Sequence, residues 1–257
     1  MPRVEATSHQ ALSFDDLAAS YNFRKTTDWV DLFVRLVVDE LRALDRPAAV
    51  VDIGCGSGIG GDLDRLRPIR EAAHTLWGVE PDEHAPVPPG VFDEVRRADL
   101  ERAELPDGHF DLAYSFMVME HVPDPADFLR RVHRTLKPGG THLFITINGR
   151  HYFGRVARIA RALRIDEHLL RLVRRAEDVD RYHYPVHYAF NTPDVIDRHA
   201  RLAGFDSPEY VFVEQDGPID YMRGPLKPLW RALQWKRHLL RRPESLLTMI
   251  VRMRAAA

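Results

Sequence analysis

The sequence predicts an α/β fold built on a doubly wound, mostly parallel sheet. Three observations lead there. Short apolar runs alternate with amphipathic helical stretches along the chain. The runs are nearly continuous in apolar residues, as strands covered by helices on both faces require. The first run, Ala48–Ile53, opens directly into the glycine-rich stretch Gly54-Cys55-Gly56-Ser57-Gly58-Ile59-Gly60-Gly61.

In chain order, residues 28–44 place Val30, Leu32, Phe33, Leu36, Val37 and Leu41 at helical spacing. Strands follow at Ala48–Ile53, Leu76–Glu80, Phe110–Ser115 and Leu143–Ile147. Between the last two, Pro125–Leu136 reads as a helix with Pro and Asp in its first turn, stopped by Lys137-Pro138-Gly139-Gly140. Thr192-Pro193-Asp194 supplies a cap and a first-turn proline for a helix that runs to Gly204. Tyr210–Val213 and Leu246–Met253 complete the strands. No repeat, low-complexity tract or linker divides the chain, so residues 1–257 are expected to form a single domain.

With 257 residues and 45% hydrophobic composition, the chain can bury a full core. The single cysteine, Cys55, rules out an intramolecular disulfide and fits a reducing cytoplasm. The first sixteen residues are polar and lack an apolar core, so a signal peptide is not expected. Nor does any apolar run approach the roughly 20 residues of a spanning helix. Lys+Arg number 36 against 38 Asp+Glu, which argues against a protein that coats nucleic acid. The near-neutral total hides segregation: residues 149–175 hold eight basic and two acidic side chains, and residues 221–257 hold nine and one.

The glycine stretch admits two frames. Gly56-Ser57-Gly58-Ile59-Gly60-Gly61 fits the G-x-G-x-x-G dinucleotide pattern. In the other frame the turn begins at Gly54, with Asp52 two residues before it. The apolar run ends at Ile53, which favours the second frame. A carboxylate just before the turn suits a nucleoside carrying positive charge better than a pyrophosphate. In either frame the reading is strand, turn, then helix, with helix-start amides facing the ligand.

The ordered motifs VVDIGCGSG, LWGVEPD, RADLERAELPDGHFDLAYSFMVMEHV and LKPGG resemble the class I S-adenosylmethionine-dependent methyltransferases, over roughly residues 15–148 and the last strands. The resemblance is to small-molecule enzymes of the ubiquinone, menaquinone and secondary-metabolism type. It implies a seven-stranded Rossmann-like sheet and S-adenosylmethionine as cofactor. Asp52, Gly54, Cys55, Gly56 and Gly58 would face the methionine part and ribose. Glu80, followed by Pro81, would accept from the ribose hydroxyls. Asp99 would accept from the adenine amino group, with Leu100 packed on the ring. Ser115 and Phe116 would line the methionine moiety, and Tyr21 would fold over the cofactor. Cys55 reads as a small buried loop residue rather than a nucleophile.

Methyl transfer from a sulfonium needs alignment and exclusion of water, and a base only where the acceptor must lose a proton. His121, in Met119-Glu120-His121-Val122-Pro123 after the fourth strand, is the best-placed base; its alternative role is to shape that loop. Tyr182-His183-Tyr184-Pro185-Val186-His187-Tyr188 offers His183 and His187 on one face if extended, about 13 Å apart and too far to share a metal. No metal site is therefore expected, and the segment reads as a wall of the acceptor pocket or as packing. The fourth strand ends in Tyr114-Ser115-Phe116-Met117, without the Asn/Asp-Pro-Pro-aromatic tetrapeptide of relatives that methylate nucleobase amino groups.

The resemblance places residues 149–190 and 214–245 over the carboxyl edge of the sheet as helical lids. Phe153, Val156, Ile159, Ala160 and Leu163 form an apolar stripe in the first, and Leu226, Leu229, Trp230 and Leu233 in the second, each beside arginines. Three readings stand: a cap with solvated arginines, a peripheral contact with anionic membrane, or an anionic acceptor such as nucleic acid. The function expected is methyl transfer to a small apolar or aromatic acceptor, most readily at oxygen, in the cytoplasm. The alternatives are an NAD-type oxidoreductase using the Gly56-to-Gly61 frame and a non-catalytic cofactor-binding protein. The oligomeric state leaves no mark in the sequence.

Overall fold

Strands β1 (Ala49–Ile53), β2 (Thr75–Val79), β3 (Glu94–Arg96), β4 (Phe110–Phe116), β5 (Leu136–Ile147), β6 (Glu209–Val213) and β7 (Thr248–Arg254) form one sheet in the order β3-β2-β1-β4-β5-β7-β6. The first five are parallel, and β7 runs antiparallel between β5 and β6. This is the doubly wound α/β architecture expected from the sequence. The computed structural model describes residues 14–19, 29–56, 58–151, 186–213 and 246–256, with Pro228, Ala232, Trp235, Lys236 and Leu239. The two expected lids, Tyr21 and His183 therefore lie outside the described residues, except for a few lid residues.

The helices are α1 (Phe14–Ala19), α2 (Trp29–Ala43), α3 (Arg67–Ala72), α4 (Pro125–Thr135) and α5 (Pro193–Ala203). Alternation along each strand sends neighbouring side chains to opposite faces. Val50, Leu112 and Leu143 pack with Phe33, Leu36 and Val37 of α2. Val51, Ala113 and Phe144 pack with Leu129 and Val132 of α4 and Ile196 of α5. All six apolar residues singled out in 28–44 are buried in α2. Strand order reverses between β1 and β4, and ligands of open α/β sheets bind at the carboxyl edge of such a switch point.

Four local readings need correction. No helix begins in the glycine turn: Ile59 and Asp62 form an isolated bridge, a 3-10 turn covers Asp64–Leu66, and α3 starts only at Arg67. The left-handed backbone at Gly58 (φ +82°) is incompatible with a helix there. β5 begins at Leu136, not Leu143, because the Lys137–Gly140 stretch is absorbed as an irregularity in its register with β4. Thr192 occupies the cap position of α5 without a side-chain cap bond; its carbonyl accepts from the Val195 and Ile196 amides instead. The short polar edge strand β3 was not read from the pattern at all. By contrast, Asp124 caps α4 through the amides of Ala126 and Asp127, and Gly204 closes α5 in the left-handed conformation.

Arg252 on β7 joins distant parts of the chain. Its guanidinium bonds Glu209 at 2.7 Å, Glu40 at 2.7 Å and Asp15, and its Cζ lies 4.5 Å from the Phe14 ring centre. Three carboxylates hold its charge more firmly than water would. The network ties α1 and α2 to β6 and β7.

His142 on β5 is fully buried among Phe128, Phe144 and Phe205, and burial lowers its pKa to about 3. The unfolded chain takes up a proton below about pH 6.5 that the folded chain refuses, so stability falls as pH drops from there toward 3. His142→Leu is expected to remove up to about 1.4 kcal/mol of that loss per pH unit below pH 6. Urea unfolding of both proteins at about pH 7 and pH 5 measures it; equal pH dependence would refute the assignment.

Candidate active site

Parallel register sets the carboxyl ends of three strands level. Asp52 pairs with Gly78 and Tyr114, and Ile53 with Val79 and Ser115. Gly54 and Glu80 thus leave the sheet side by side, next to Phe116, the last residue of β4. The amides of Gly54 and Cys55 donate to the Val79 carbonyl at 2.7 and 3.2 Å, which pins the turn to the end of β2. The Glu80 carboxylate closes it: Oε2 accepts the Gly56 amide at 2.8 Å and Oε1 the Asp82 amide at 3.0 Å.

The turn admits no bulk. A Cβ on Gly54 would lie 2.5 Å from Val118 Cγ2, and one on Gly56 would lie 2.9 Å from Glu80 Oε2. Cys55 is buried, and its sulfur lies 2.6 Å from where a Cβ on Gly78 would be, so the thiol fills the space that glycine in β2 leaves. Burial, with Asp52 and Glu80 nearby, pushes that thiol far above its ordinary range, which suits an inert packing residue.

Asp52 is buried and its Oδ2 accepts the Tyr114 hydroxyl at 2.9 Å. Burial raises its pKa to about 7; the Tyr114 bond opposes the rise and the Glu80 charge adds to it. Two carboxylates at the ends of adjacent strands, one forced to titrate near neutrality, form an electronegative corner. Such a corner accepts hydroxyls and ammonium groups, while a pyrophosphate would meet like charge. Leu100 is buried, and Asp99 and Pro81 are exposed. The Asp99 carbonyl begins a turn by accepting from the Arg102 and Ala103 amides. Ser115 is buried with its hydroxyl 4.0 Å from the Met119 sulfur. Phe116 stacks on Trp29 at 5.4 Å and packs on Phe33 at 5.7 Å, so α2 braces the end of β4.

His121 is half-buried at the end of the 3-10 turn Met119–His121. His187 is exposed, and its amide donates to the Glu120 carbonyl at 2.8 Å. The structure therefore brings the His121 and His187 loops together, although they are far apart in sequence. Between them, buried Glu120 accepts the Thr146 hydroxyl at 2.9 Å, and Asn191 donates to that same hydroxyl at 3.0 Å. Burial raises the Glu120 pKa. Glu120 and Tyr114 are site residues that the motif reading passed over. Tyr114 was detectable as a polar group inside an apolar strand, level with Asp52. Among the described residues, no cluster of three or more His, Cys, Asp or Glu side chains could hold a metal ion.

Residues 20–206 match the family pattern described as a methyltransferase domain. The chain belongs to the class I S-adenosylmethionine-dependent methyltransferase family. A ubiquinone biosynthesis O-methyltransferase of Azotobacter vinelandii is 35% identical over 128 residues, which cover 47% of this chain and 50% of that one. The matched stretch is thus about half of that relative. An S-adenosylmethionine-dependent methyltransferase of Methanosarcina mazei superposes with a TM-score of 0.51 at 16% identity, covering 82% of this chain and 93% of that one. Phosphoethanolamine N-methyltransferase 2 of Haemonchus contortus gives 0.50 at 15% identity, covering all of this chain and 62% of that one. These two share the methyltransferase fold.

The raised Asp52 pKa carries a stability prediction. The folded chain binds a proton that the unfolded carboxylate releases near pH 4, so Asp52 costs stability as pH rises from there to about 7. Asp52→Asn keeps an acceptor for Tyr114 but cannot ionise. It is expected to stabilise the ligand-free methyltransferase at pH 8 by on the order of 1–4 kcal/mol. Urea midpoints of the two proteins at that pH decide it, and a variant no more stable than the parent would show that the buried charge carries no penalty.

Proposed function

We propose that this methyltransferase moves a methyl group from S-adenosylmethionine to a small apolar or aromatic acceptor, at oxygen. One observation carries the cofactor half: a glycine turn without a helix, clamped by Glu80 and backed by the buried Asp52–Tyr114 pair. The residues fit this cofactor. The turn has no room for a Cβ at Gly56 beside Glu80, and the carboxylate that closes it is an acceptor of the kind that ribose hydroxyls require. Asp52 faces the ammonium end, Asp99 and Leu100 the adenine, and Ser115 and Phe116 the methionine chain. The G-x-G-x-x-G frame of an NAD-type enzyme lacks its helix, which sets that alternative aside.

The cofactor, when bound, supplies a methyl group activated on a sulfonium. The chain's own work is to hold the acceptor in line, exclude water and remove a proton. His121 is the base for the acceptor hydroxyl, held by the loop whose Glu120 is anchored to Thr146 on β5. His187 approaches from the second loop, and residues 149–190 and 214–245 provide the remaining walls over a single domain. Oxygen as the acceptor atom is supported by the O-methyltransferase similarity.

Calorimetric titration with S-adenosylmethionine and with NAD separates the two cofactors. Glu80→Ala is expected to weaken S-adenosylmethionine binding by about 1–3 kcal/mol; unchanged affinity would overturn the ribose role. With phenolic acceptors and labelled S-adenosylmethionine, His121→Ala is expected to lower kcat by about 10²–10⁴-fold at unchanged cofactor affinity. Undiminished turnover would remove His121 as the base.

A further inference from the structure

Pro228, Ala232, Trp235 and Leu239 are all helical and all exposed. Their spacings of four, three and four residues put them on one stripe at 100° per residue. Trp235 is 68% exposed and Leu239 64%, one turn apart, with exposed Lys236 beside them. Two large apolar side chains exposed one turn apart make a face that packing among the described residues does not use. Among the described residues, the other large exposed apolar side chains are Leu63, before α3, and Leu202, in α5. Residues 221–243 carry seven basic side chains and no acidic one.

We infer that the Trp235–Leu239 face docks on an anionic lipid bilayer, lying in its surface rather than crossing it. Tryptophan buries its ring at the depth where headgroups meet acyl chains, and leucine buries beside it. Cations on the flanks remain in water and meet the negative surface potential. Charge selects this occupant over a second copy of the chain, because self-association would bring together two stretches that each hold seven basic and no acidic side chains. No helix among the described residues is long and apolar enough to cross a membrane, in keeping with surface docking. The inference does not depend on methyl transfer, and its test reads binding alone.

The full chain is mixed with vesicles of phosphatidylcholine, alone or with about one third phosphatidylglycerol, and sedimented. The protein is expected to pellet with the anionic vesicles only and to be released by salt. Trp235→Ser with Leu239→Ser is expected to lower the partition coefficient roughly tenfold, and Lys236→Glu by about fivefold. Both variants should keep the parent's urea midpoint and S-adenosylmethionine affinity, since all three side chains face solvent. A parent protein that stays in the supernatant with anionic vesicles overturns the inference. So does a double variant that pellets as well as the parent, or a parent dimer that the double variant breaks without any vesicle binding.

Discussion

Two acids placed at the ends of neighbouring parallel strands are the constraint on which the site depends. Asp52 and Glu80 are buried close enough for the charge of one to raise the pKa of the other. Such a pair is costly without partners. Glu80 meets that cost with the amides of Gly56 and Asp82, and Asp52 with the Tyr114 hydroxyl. The amide of Gly56 can reach Glu80 only if the backbone comes within contact distance, which excludes a side chain there. The glycine turn therefore serves the fold first, by neutralising a carboxylate. The proposed nucleoside site would be a second use of the same close approach.

The loops that carry His121 and His187 depend on a different set of bonds. Glu120 receives the Thr146 hydroxyl through its side chain and the amides of His187 and Tyr188 through its carbonyl. One residue thus fixes the loop after β4, the end of β5 and the segment leading to α5. Positions of His121 and His187 follow from that junction rather than from either loop alone.

Much of this was legible in the sequence, for identifiable reasons. Continuous apolar runs gave β1, β2 and β4 to within a residue or so, because strands covered on both faces read as unbroken apolar stretches whose ends are marked by polar or glycine residues. Glycine at 204 and proline at 125 fixed helix ends because they act through the backbone. The turn after β1 was misread because glycine spacing alone does not distinguish a helix start from a chain of left-handed residues; Gly58, Gly60 and Gly61 all have positive φ. The extension of β5 through Lys137–Gly140 was hidden because proline and glycine ordinarily end strands. Tyr114 was missed as a partner of Asp52 because their contact spans 62 positions and only the pairing of β1 with β4 creates it.

β6 touches the rest of the sheet through β7 alone, and β7 follows every other strand of the sheet in the chain. Residues 209–213 must wait, unzipped on both edges, until residues 248–254 arrive and slot between them and β5. During synthesis the nascent chain carries two bare hydrogen-bonding rims, of β5 and of β6, which invite the wrong neighbours. Arg252, on that same strand, also holds α1, α2 and β6, so the pairing of β7 joins all three at once.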